Sequence, residues 1–234
     1  MNGPLVYLIP SQLDEAGFHV LPAYIIDAVK NCQAFFVENE RTARRFLKKI
    51  WKEMVIDDYE WYVSDGSKPA ETFFITKIKE GKTIGIISEA GCPGIADPGQ
   101  DLVRVAHEMN VIVKPLVGPS SILLALMASG MNGQQFSFIG YLPVKDIERN
   151  KAIKDLEAES AKKNATQIFI ETPYRNNQML EAVCKNCKPS TKLCIAADIT
   201  GEHEWIKTTT VQEWKKEKIN IHKRPAIFLL LASG

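Results

Sequence analysis

The residues best suited to bind a small molecule lie at positions 88–99, which read SEAGCPGIADPG. They follow an apolar run at 83–87 and lead into a segment, starting at Pro98, whose apolar residues have helical spacing. Three glycines and two prolines in twelve residues predict a shaped loop between a strand and a helix. In α/β proteins, ligands bind outside the carboxyl ends of parallel strands, where glycine lets the backbone approach the ligand closely.

A second loop of this kind, VGPSS at 117–121, follows another apolar run at 111–115. Loops that follow parallel strands lie at one edge of the sheet, so the backbone groups of both loops can converge on one ligand. Ser120 and Ser121 precede an apolar segment, where they can cap a helix and hold a carboxylate or a hydroxyl. Neither loop carries a phosphate-binding glycine pattern. The residues therefore predict a small-molecule pocket without specifying its chemistry.

The composition indicates an ordinary globular protein that uses no membrane span. The 234 residues suit one large or two small α/β domains, and 29 basic against 28 acidic residues leave a net charge of +1. Affinity for a nucleic acid must then come from local patches. The longest apolar stretches, 122–128 and 226–232, are far shorter than the roughly 20 residues of a membrane helix. With no signal-peptide pattern at the N-terminus, these features predict a cytoplasmic protein.

Five cysteines, an odd number, do not suggest a disulfide framework. Cys184 and Cys187 form a C-x-x-C pair in a segment that we interpret as helical. A zinc site needs a second pair of ligands and a redox site a thioredoxin-like context, and the sequence offers neither. We therefore predict no metal site and treat these cysteines as structural.

The order of the elements predicts an α/β fold with two domains. Up to about residue 115, short apolar strands alternate with amphipathic helices, which is typical of a parallel sheet covered on both faces. The apolar segment 122–129 is predicted to be a buried helix. Strands at 193–198 and 203–208 have no long helix between them, which favours antiparallel pairing. We predict a mostly parallel N-terminal domain over 1–140 and a C-terminal domain with a mixed sheet over 141–234.

One predicted helix, which follows Asn39, is strongly basic. Asn39 is a suitable N-cap, and the core face carries Ala43, Phe46 and Leu47. The remaining surface carries six cations: Arg41, Arg44, Arg45, Lys48, Lys49 and Lys52. This surface either binds phosphate or is simply a solvated helix face, and the sequence leaves both readings open.

Four motifs together resemble one known family. IISEAGCPGIADPG, PLVGPSS, GYLP and FIETPYR are similar to motifs of the tetrapyrrole (corrin/porphyrin) methylase superfamily. The similarity is strongest to its branch of small-subunit ribosomal RNA ribose 2'-O-methyltransferases, whose patterns are S-D-A-G-x-P-x-I-x-D-P-G, P-x-P-G-P-S, G-F-L-P and Y-E-S-P-H-R. The motifs stand in the same order and span nearly the whole chain.

The resemblance implies a homodimer of chains with two α/β domains, and S-adenosylmethionine bound in the cleft between the domains. It assigns cofactor contacts in the first part of the chain to Pro10, Glu89, Ala90, Gly91, Gly94, Ile95, Ser120 and Ser121. In the second domain it assigns them to Ile170, Glu171, Ala197 and Ala226. For Ile95, Ala197 and Ala226, plain core packing is the alternative.

Methyl transfer requires in-line attack of the acceptor on the sulfonium methyl group, which positioning in a dry cleft can accelerate. A ribose hydroxyl is a poor nucleophile, so a nearby base would help. The candidate bases are Asp97, Glu38 and Glu171, each with helix capping, solvation or fold support as the alternative role. Acceptor phosphate is predicted to contact Arg41, Arg45 and Arg175, the last of which could equally pair with an acidic neighbour.

Three segments depart from the branch pattern. SQLD follows Pro10 where the branch has T-P-I-G-N, VENER stands at 37–41 in place of A-E-D-T-R, and DITGE at 198–202 replaces R-E-L-T-K. These segments are expected to face the acceptor. We therefore keep three hypotheses: ribosomal RNA as the acceptor, a tetrapyrrole or other small molecule as the acceptor, and a catalytically silent dimeric binding module.

Overall fold

The computed structural model describes residues 3–64, 66–97 and 99–233. The chain divides into two compact units, Met1–Ser120 and Ser121–Gly234. Each unit is built on its own five-stranded sheet. Pro98, predicted to open a helix, lies outside the described residues. Among the helices that are described, none is long and apolar enough to cross a membrane.

The sheet of the first unit is entirely parallel, as predicted. Its strands have the spatial order β3-β2-β4-β1-β5. They are β1 (Leu5–Ile9), β2 (Ala34–Val37), β3 (Glu60–Val63), β4 (Ile84–Ile87) and β5 (Ile112–Pro115). The parallel order brings the carboxyl ends of all five strands to one edge of the sheet.

Helices cover this sheet on both faces, and the alternation of strand side chains separates two cores. The helices are α1 (Ile25–Asn31), α2 (Glu40–Ile50), α3 (Lys68–Lys79) and α4 (Gly99–Glu108), with single 3-10 turns at Gly17–Val20 and Ile56–Asp58. Phe35 packs in the core with α1 and α2, while its neighbour Phe36 packs in the core with α3 and α4. Asn39 caps α2 as predicted, since its side chain accepts from the backbone of Arg41 and Thr42.

The second unit has a mixed sheet, which confirms the predicted fold class. Its strands have the order β6-β7-β10-β8-β9, and only β6 and β7 pair in parallel. The strands are β6 (Phe136–Tyr141), β7 (Thr166–Ile170), β8 (Lys192–Ala197), β9 (Trp205–Thr210) and β10 (Ala226–Leu231). The helices are α5 (Ser121–Ser129), α6 (Asp146–Lys163), α7 (Asn176–Asn186) and the short α8 (Val211–Trp214), with a 3-10 turn at Pro173–Arg175.

The division between the units comes earlier in the chain than the boundary near residue 140. It falls after Ser120 because β6 hydrogen-bonds to β7 and α5 packs against β8, β9 and β10. The expectation that α5 is buried is wrong for much of its surface. Ala125 and Leu126 are buried, whereas Leu123 is 52% and Met127 78% exposed. One face of this apolar helix packs on the sheet and leaves the other face uncovered.

Candidate functional site

At the carboxyl edge of the parallel sheet, the loop that follows β4 is fastened to the segment that follows β1. The backbone N–H of Ser11 donates to the Gly91 carbonyl at 2.9 Å, and the Ser11 hydroxyl donates to the Ser88 carbonyl at 3.0 Å. The Ser88 hydroxyl donates in turn to the Gly91 carbonyl at 3.3 Å. Ser11 is only 2% exposed. Ser11 therefore anchors the loop. The departure from the branch pattern had led us to expect that it faces the acceptor, and its burial does not agree with that expectation.

The loop that follows β5 is packed tightly on the same edge. A Cβ added at Gly118 would lie 2.1 Å from the Cβ of Pro10, so only glycine fits here without a backbone shift. The Cys92 thiol lies 3.5 Å from the Pro119 carbonyl, which accepts its weak hydrogen bond. Pro10, residues 88–97 and residues 117–119 thus form one continuous surface within the first unit. This convergence is the one predicted from the two glycine loops.

Three carboxylates gather beside these loops. Glu38 follows β2, and its side chain accepts a hydrogen bond of 2.9 Å from the backbone N–H of Glu89. The Glu89 carboxylate also accepts from the hydroxyl of Thr42 on α2. Glu38 and Asp97 both line a narrow cavity at the end of β4. The pKa of Asp97 is raised to about 6, mainly by burial and next by the negative charge of Glu38, while the Ser88 hydroxyl has a lowering effect.

In the second unit, the residues predicted to contact the cofactor lie together where β7 and β8 end and β10 begins. Ala226 at the start of β10 is paired with Ala197 at the end of β8. The next residue of β10, Ile227, is paired with Ile170 at the end of β7. Glu171 follows directly, and one of its carboxylate oxygens is buried without a hydrogen-bond partner among the described residues.

The other oxygen of Glu171 is fully engaged. It accepts from the backbone N–H of Thr172 at 2.6 Å and from the guanidinium of Arg175 at 2.6 and 3.1 Å. The Glu171 side chain is 1% exposed, and the Arg175 side chain is 29% exposed. Arg175 therefore makes the internal ion pair that stood as the alternative to phosphate contact.

Five of the six predicted cations lie on α2 and separate into two groups, while Lys52 lies beyond the end of the helix. Arg44 pairs with Glu40 at 2.6 Å and lies over the Trp61 ring, and Lys49 lies over the Phe18 ring. Lys48 donates to a backbone carbonyl just beyond the helix. Arg41 and Arg45 are exposed, and within the described part of the chain neither has an ion-pair partner. Among the described cations of this helix, these two, one turn apart, make none of the contacts just named and are therefore the most available to a phosphate.

Sequence reasoning missed the residues that hold the loops, including Tyr24, whose hydroxyl accepts from the backbone N–H of Val117 at 2.6 Å. Of the residues that hold the loops, only Ser11 could have been predicted from the sequence, because it directly follows Pro10 at the end of the first strand. The C-x-x-C pair agrees with a structural role, because burial raises the pKa of Cys187 to about 12, with Glu157 adding to the effect. A thiol held protonated in this way is a poor nucleophile and a poor metal ligand.

The described residues fit S-adenosylmethionine. Gly91 and Gly94 have φ of +78° and +79°, a left-handed backbone that glycine adopts without strain and that would let the peptide groups of the loop after β4 approach a ligand. The buried oxygens of Gln12 and Glu171 that lack partners among the described residues are acceptors suited to amino or hydroxyl groups. The carboxylates of Glu38 and Glu89 suit ribose hydroxyls and a positively charged ligand.

The two sheets and the converging glycine loops define a two-unit α/β protein built to bind a small molecule. A model of the tetrapyrrole (corrin/porphyrin) methylases matches residues 21–215. The chain belongs to this family. It is a methyltransferase, and its methyl donor is S-adenosylmethionine.

Two relatives and one solved structure show the extent of the similarity. Ribosomal RNA small subunit methyltransferase I of Vibrio cholerae is 29% identical over 98% of this chain and 78% of its own length. The protein of that name from Mesorhizobium japonicum is 36% identical over 89% of this chain and 68% of its own. The crystal structure of the methyltransferase CobJ matches with a TM-score of 0.64 over 99% of this chain and 95% of its own, at 14% identity. At that identity the match speaks for the fold alone.

Proposed function

We propose that this methyltransferase transfers the methyl group of S-adenosylmethionine to a ribose 2'-hydroxyl of small-subunit ribosomal RNA. The observation that carries the proposal is the similarity, over most of the chain, to relatives named as ribosomal RNA small subunit methyltransferases. The exposed Arg41 and Arg45, beside the carboxylate cluster, support an acceptor that carries phosphates. An enzyme with this substrate works in the cytoplasm, where ribosomal subunits are found.

In the first unit, the residues proposed to contact the cofactor are Pro10, Glu89, Ala90, Gly91, Gly94, Ile95 and Ser120. In the second unit, they are Ser121, Ile170, Glu171, Ala197 and Ala226. Ile95 is 52% exposed, which favours a ligand contact over core packing for that residue. Bound S-adenosylmethionine supplies an electrophilic methyl group, and the protein supplies positioning and a base.

Asp97 is the proposed base. Its raised pKa, to about 6, makes it a stronger proton acceptor than an ordinary aspartate while leaving it ionised at neutral pH. The negative charge of Glu38 contributes to the raised pKa of Asp97. Glu171 is less suited to proton transfer, because it is paired with Arg175. We assign to Glu171 the role of a cofactor acceptor through its unpartnered oxygen.

We further propose that two copies of the chain associate through the edge of the mixed sheet. Large apolar or aromatic side chains follow one another along β6 and the segment after it and are 41% to 86% exposed: Phe136, Ile139, Tyr141, Val144 and Ile147. A strand at a sheet edge with an exposed apolar surface is suited to association with a second chain. The family resemblance implies a homodimer, so we propose that a second copy of the chain binds at this surface.

The proposed function is tested by radiolabelled methyl transfer from S-adenosylmethionine to small ribosomal subunits from cells that lack this gene. We expect label in the RNA, at a 2'-O-methylated ribose that resists alkaline hydrolysis. Subunits from cells that carry the gene are the control and should take up little label, because their site is already methylated. Unlabelled RNA, together with cofactor binding measured by calorimetry, would remove the ribosomal assignment and favour the tetrapyrrole or another small-molecule acceptor.

A further inference from the structure

Tyr174, in the 3-10 turn after β7, is a large aromatic residue that is 67% exposed. Two basic residues far away in the chain surround its ring. The His222 ring lies edge-on, with 5.8 Å between the ring centroids and 75° between the planes. The Lys223 ammonium lies 5.8 Å from the Tyr174 ring centroid. The ring of Tyr174 is therefore both exposed and flanked by two basic side chains.

This arrangement is held rigidly. Lys223 has φ of +64°, a left-handed conformation that a side-chain-bearing residue adopts at a cost. Hydrogen bonds on both sides of Lys223 connect residues 221–224 to residues 173–177. The N–H of Lys223 donates to the Pro173 carbonyl at 2.8 Å, and the N–H of Ile221 donates to Asn177 Oδ1 at 2.9 Å. Asn176 Nδ2 donates to the Arg224 carbonyl at 2.7 Å, and His222 Nδ1 lies 3.2 Å from the Tyr174 carbonyl oxygen. Little conformational freedom is then left to lose when a ligand binds.

The charges around Tyr174 leave one ammonium free. Arg175 pairs with Glu171, and Arg224 pairs with Asp198 at 2.6 Å. Lys223 is exposed and has no carboxylate within ion-pair distance in the described part of the chain. The surface at Tyr174 therefore presents a flat aromatic ring beside an unneutralised positive charge.

An open cavity of about 740 Å³ lies beside residues 221–224, and its lining includes Asn220, Ile221 and Arg224. Trp205 and the backbone-anchored Asp198–Arg224 pair form other parts of its lining. This volume is within the range that holds a ligand the size of a nucleotide. A strand of nucleic acid lying on Tyr174 would find room here for the adjoining nucleotide.

We propose that Tyr174, His222 and Lys223 form a stacking platform for an unpaired base of the RNA acceptor, with Lys223 contacting the neighbouring phosphate. Unpaired bases of RNA are bound by stacking on aromatic side chains, and the backbone is bound by cations beside them. This inference rests on the proposed function, because it takes the acceptor to be RNA.

The test measures binding of a fluorescent single-stranded RNA oligonucleotide by anisotropy. Tyr174→Ala should weaken binding about ten-fold, because it removes one stacked base. Tyr174→Phe keeps the ring and should bind within about two-fold of the wild type. Lys223→Gly relieves the left-handed backbone while it removes the ammonium, and should weaken binding about three-fold with a shallower dependence on salt. Phe73→Ala, which removes a half-exposed ring of the first unit, is the control and should bind like the wild type.

Calorimetry with S-adenosylmethionine on the same variants keeps the two proposals apart, and cofactor affinity should be unchanged in all of them. If Tyr174→Ala and Lys223→Gly bind the oligonucleotide as tightly as Phe73→Ala, while the wild type methylates ribosomal subunits, the platform is wrong and the proposed function stands. If the wild type binds cofactor but neither binds nor methylates RNA, the proposed function fails and the platform fails with it.

Discussion

Asp97 has an environment that distinguishes it from an ordinary surface aspartate. It is half-buried, the negative charge of Glu38 acts on it, and the Ser88 hydroxyl offsets these effects only in part. A base is most effective when its pKa lies near the working pH, because it is then both ionised and basic. A pKa of about 6 meets this condition, whereas an unperturbed aspartate would be a weaker base.

Asp97→Asn should lower the rate of methyl transfer about 100-fold, because it removes the proposed proton acceptor. The wild-type rate should rise with pH up to about 6 as Asp97 ionises, and the variant should lose this limb. Radiolabel incorporation across a pH series measures both effects. Asp101→Asn, an exposed carboxylate on α4, is the matched control. Wild-type rates in Asp97→Asn would rule out Asp97 as the base.

Gly118→Ala should weaken binding of S-adenosylmethionine about ten-fold or more and lower stability by about 1–3 kcal/mol. The added methyl group would lie 2.1 and 2.3 Å from Pro10 carbon atoms, so the loop after β5 must move. Calorimetry and denaturant unfolding measure the two effects. Gly133→Ala, where nothing lies within 4 Å of the added Cβ, should change neither. Unchanged cofactor affinity in Gly118→Ala would show that this loop does not contact the cofactor.

At the scale of elements, α2 combines a structural and a proposed binding role. Arg44 and Lys49 contact the rings of Trp61 and Phe18 in the first unit. Arg44 also pairs with Glu40 of the same helix, and Lys48 donates to a backbone carbonyl just beyond the end of the helix. These three cations make contacts within the protein and are therefore less available to a phosphate. Arg41 and Arg45 are left at the N-terminal half of the helix, where Thr42 also contacts Glu89 of the candidate site. The helix therefore presents its free cations close to the carboxylate cluster.

The double variant Arg41→Gln/Arg45→Gln should bind single-stranded RNA more weakly and with a shallower salt dependence. Each phosphate contact that is lost lowers the slope of log K against log salt by about 0.7 for a single strand, so a fall of about 1.4 is expected. Anisotropy titrations at several salt concentrations measure it. Lys185→Gln/Lys188→Gln removes the same charge from the second unit and should leave the slope nearly unchanged. Equal falls in both double variants would indicate a general charge effect without a site on α2.

At the scale of the whole molecule, β6 and residues 144–147 leave several large apolar or aromatic side chains exposed to water. Apolar patches that remain on the surface of a folded protein mark sites of association. The uncovered face of α5, with Leu123 and Met127, adds to the apolar surface of the second unit. A second copy of the chain would remove such surface from water.

Tyr141→Asp/Ile147→Lys should convert the proposed dimer into a monomer, because it places charges in an apolar interface. Light scattering coupled to gel filtration should give the wild type twice the chain mass of 26.2 kDa and the variant the mass of one chain. Circular dichroism checks that the variant is folded, which its exposed positions favour. A wild type that runs as a single chain at micromolar concentration would contradict the dimer.

Local patterns in the sequence determined which segments of this protein form strands, helices and glycine-rich loops. The alternation of short apolar strands with amphipathic helices predicted the parallel sheet, and the closely spaced strands after residue 190 predicted the antiparallel pair β8–β9. The cap at Asn39 and the two glycine loops were also predictable. Each of these signals lies within a few neighbouring residues, which is the distance over which backbone geometry and side-chain periodicity act.

Only the tertiary structure decided which residues hold the loops and which charges remain free. Ser11 bonds to Ser88, 77 residues away, and this contact depends on the order in which β1 and β4 pack side by side. In the same way, the ion pair of Glu171 with Arg175 and the exposure of half of α5 follow from how chain segments pack. The sequence pattern SEAGCPGIADPG thus determined that a ligand loop exists, and packing between distant segments decided how that loop is shaped and held.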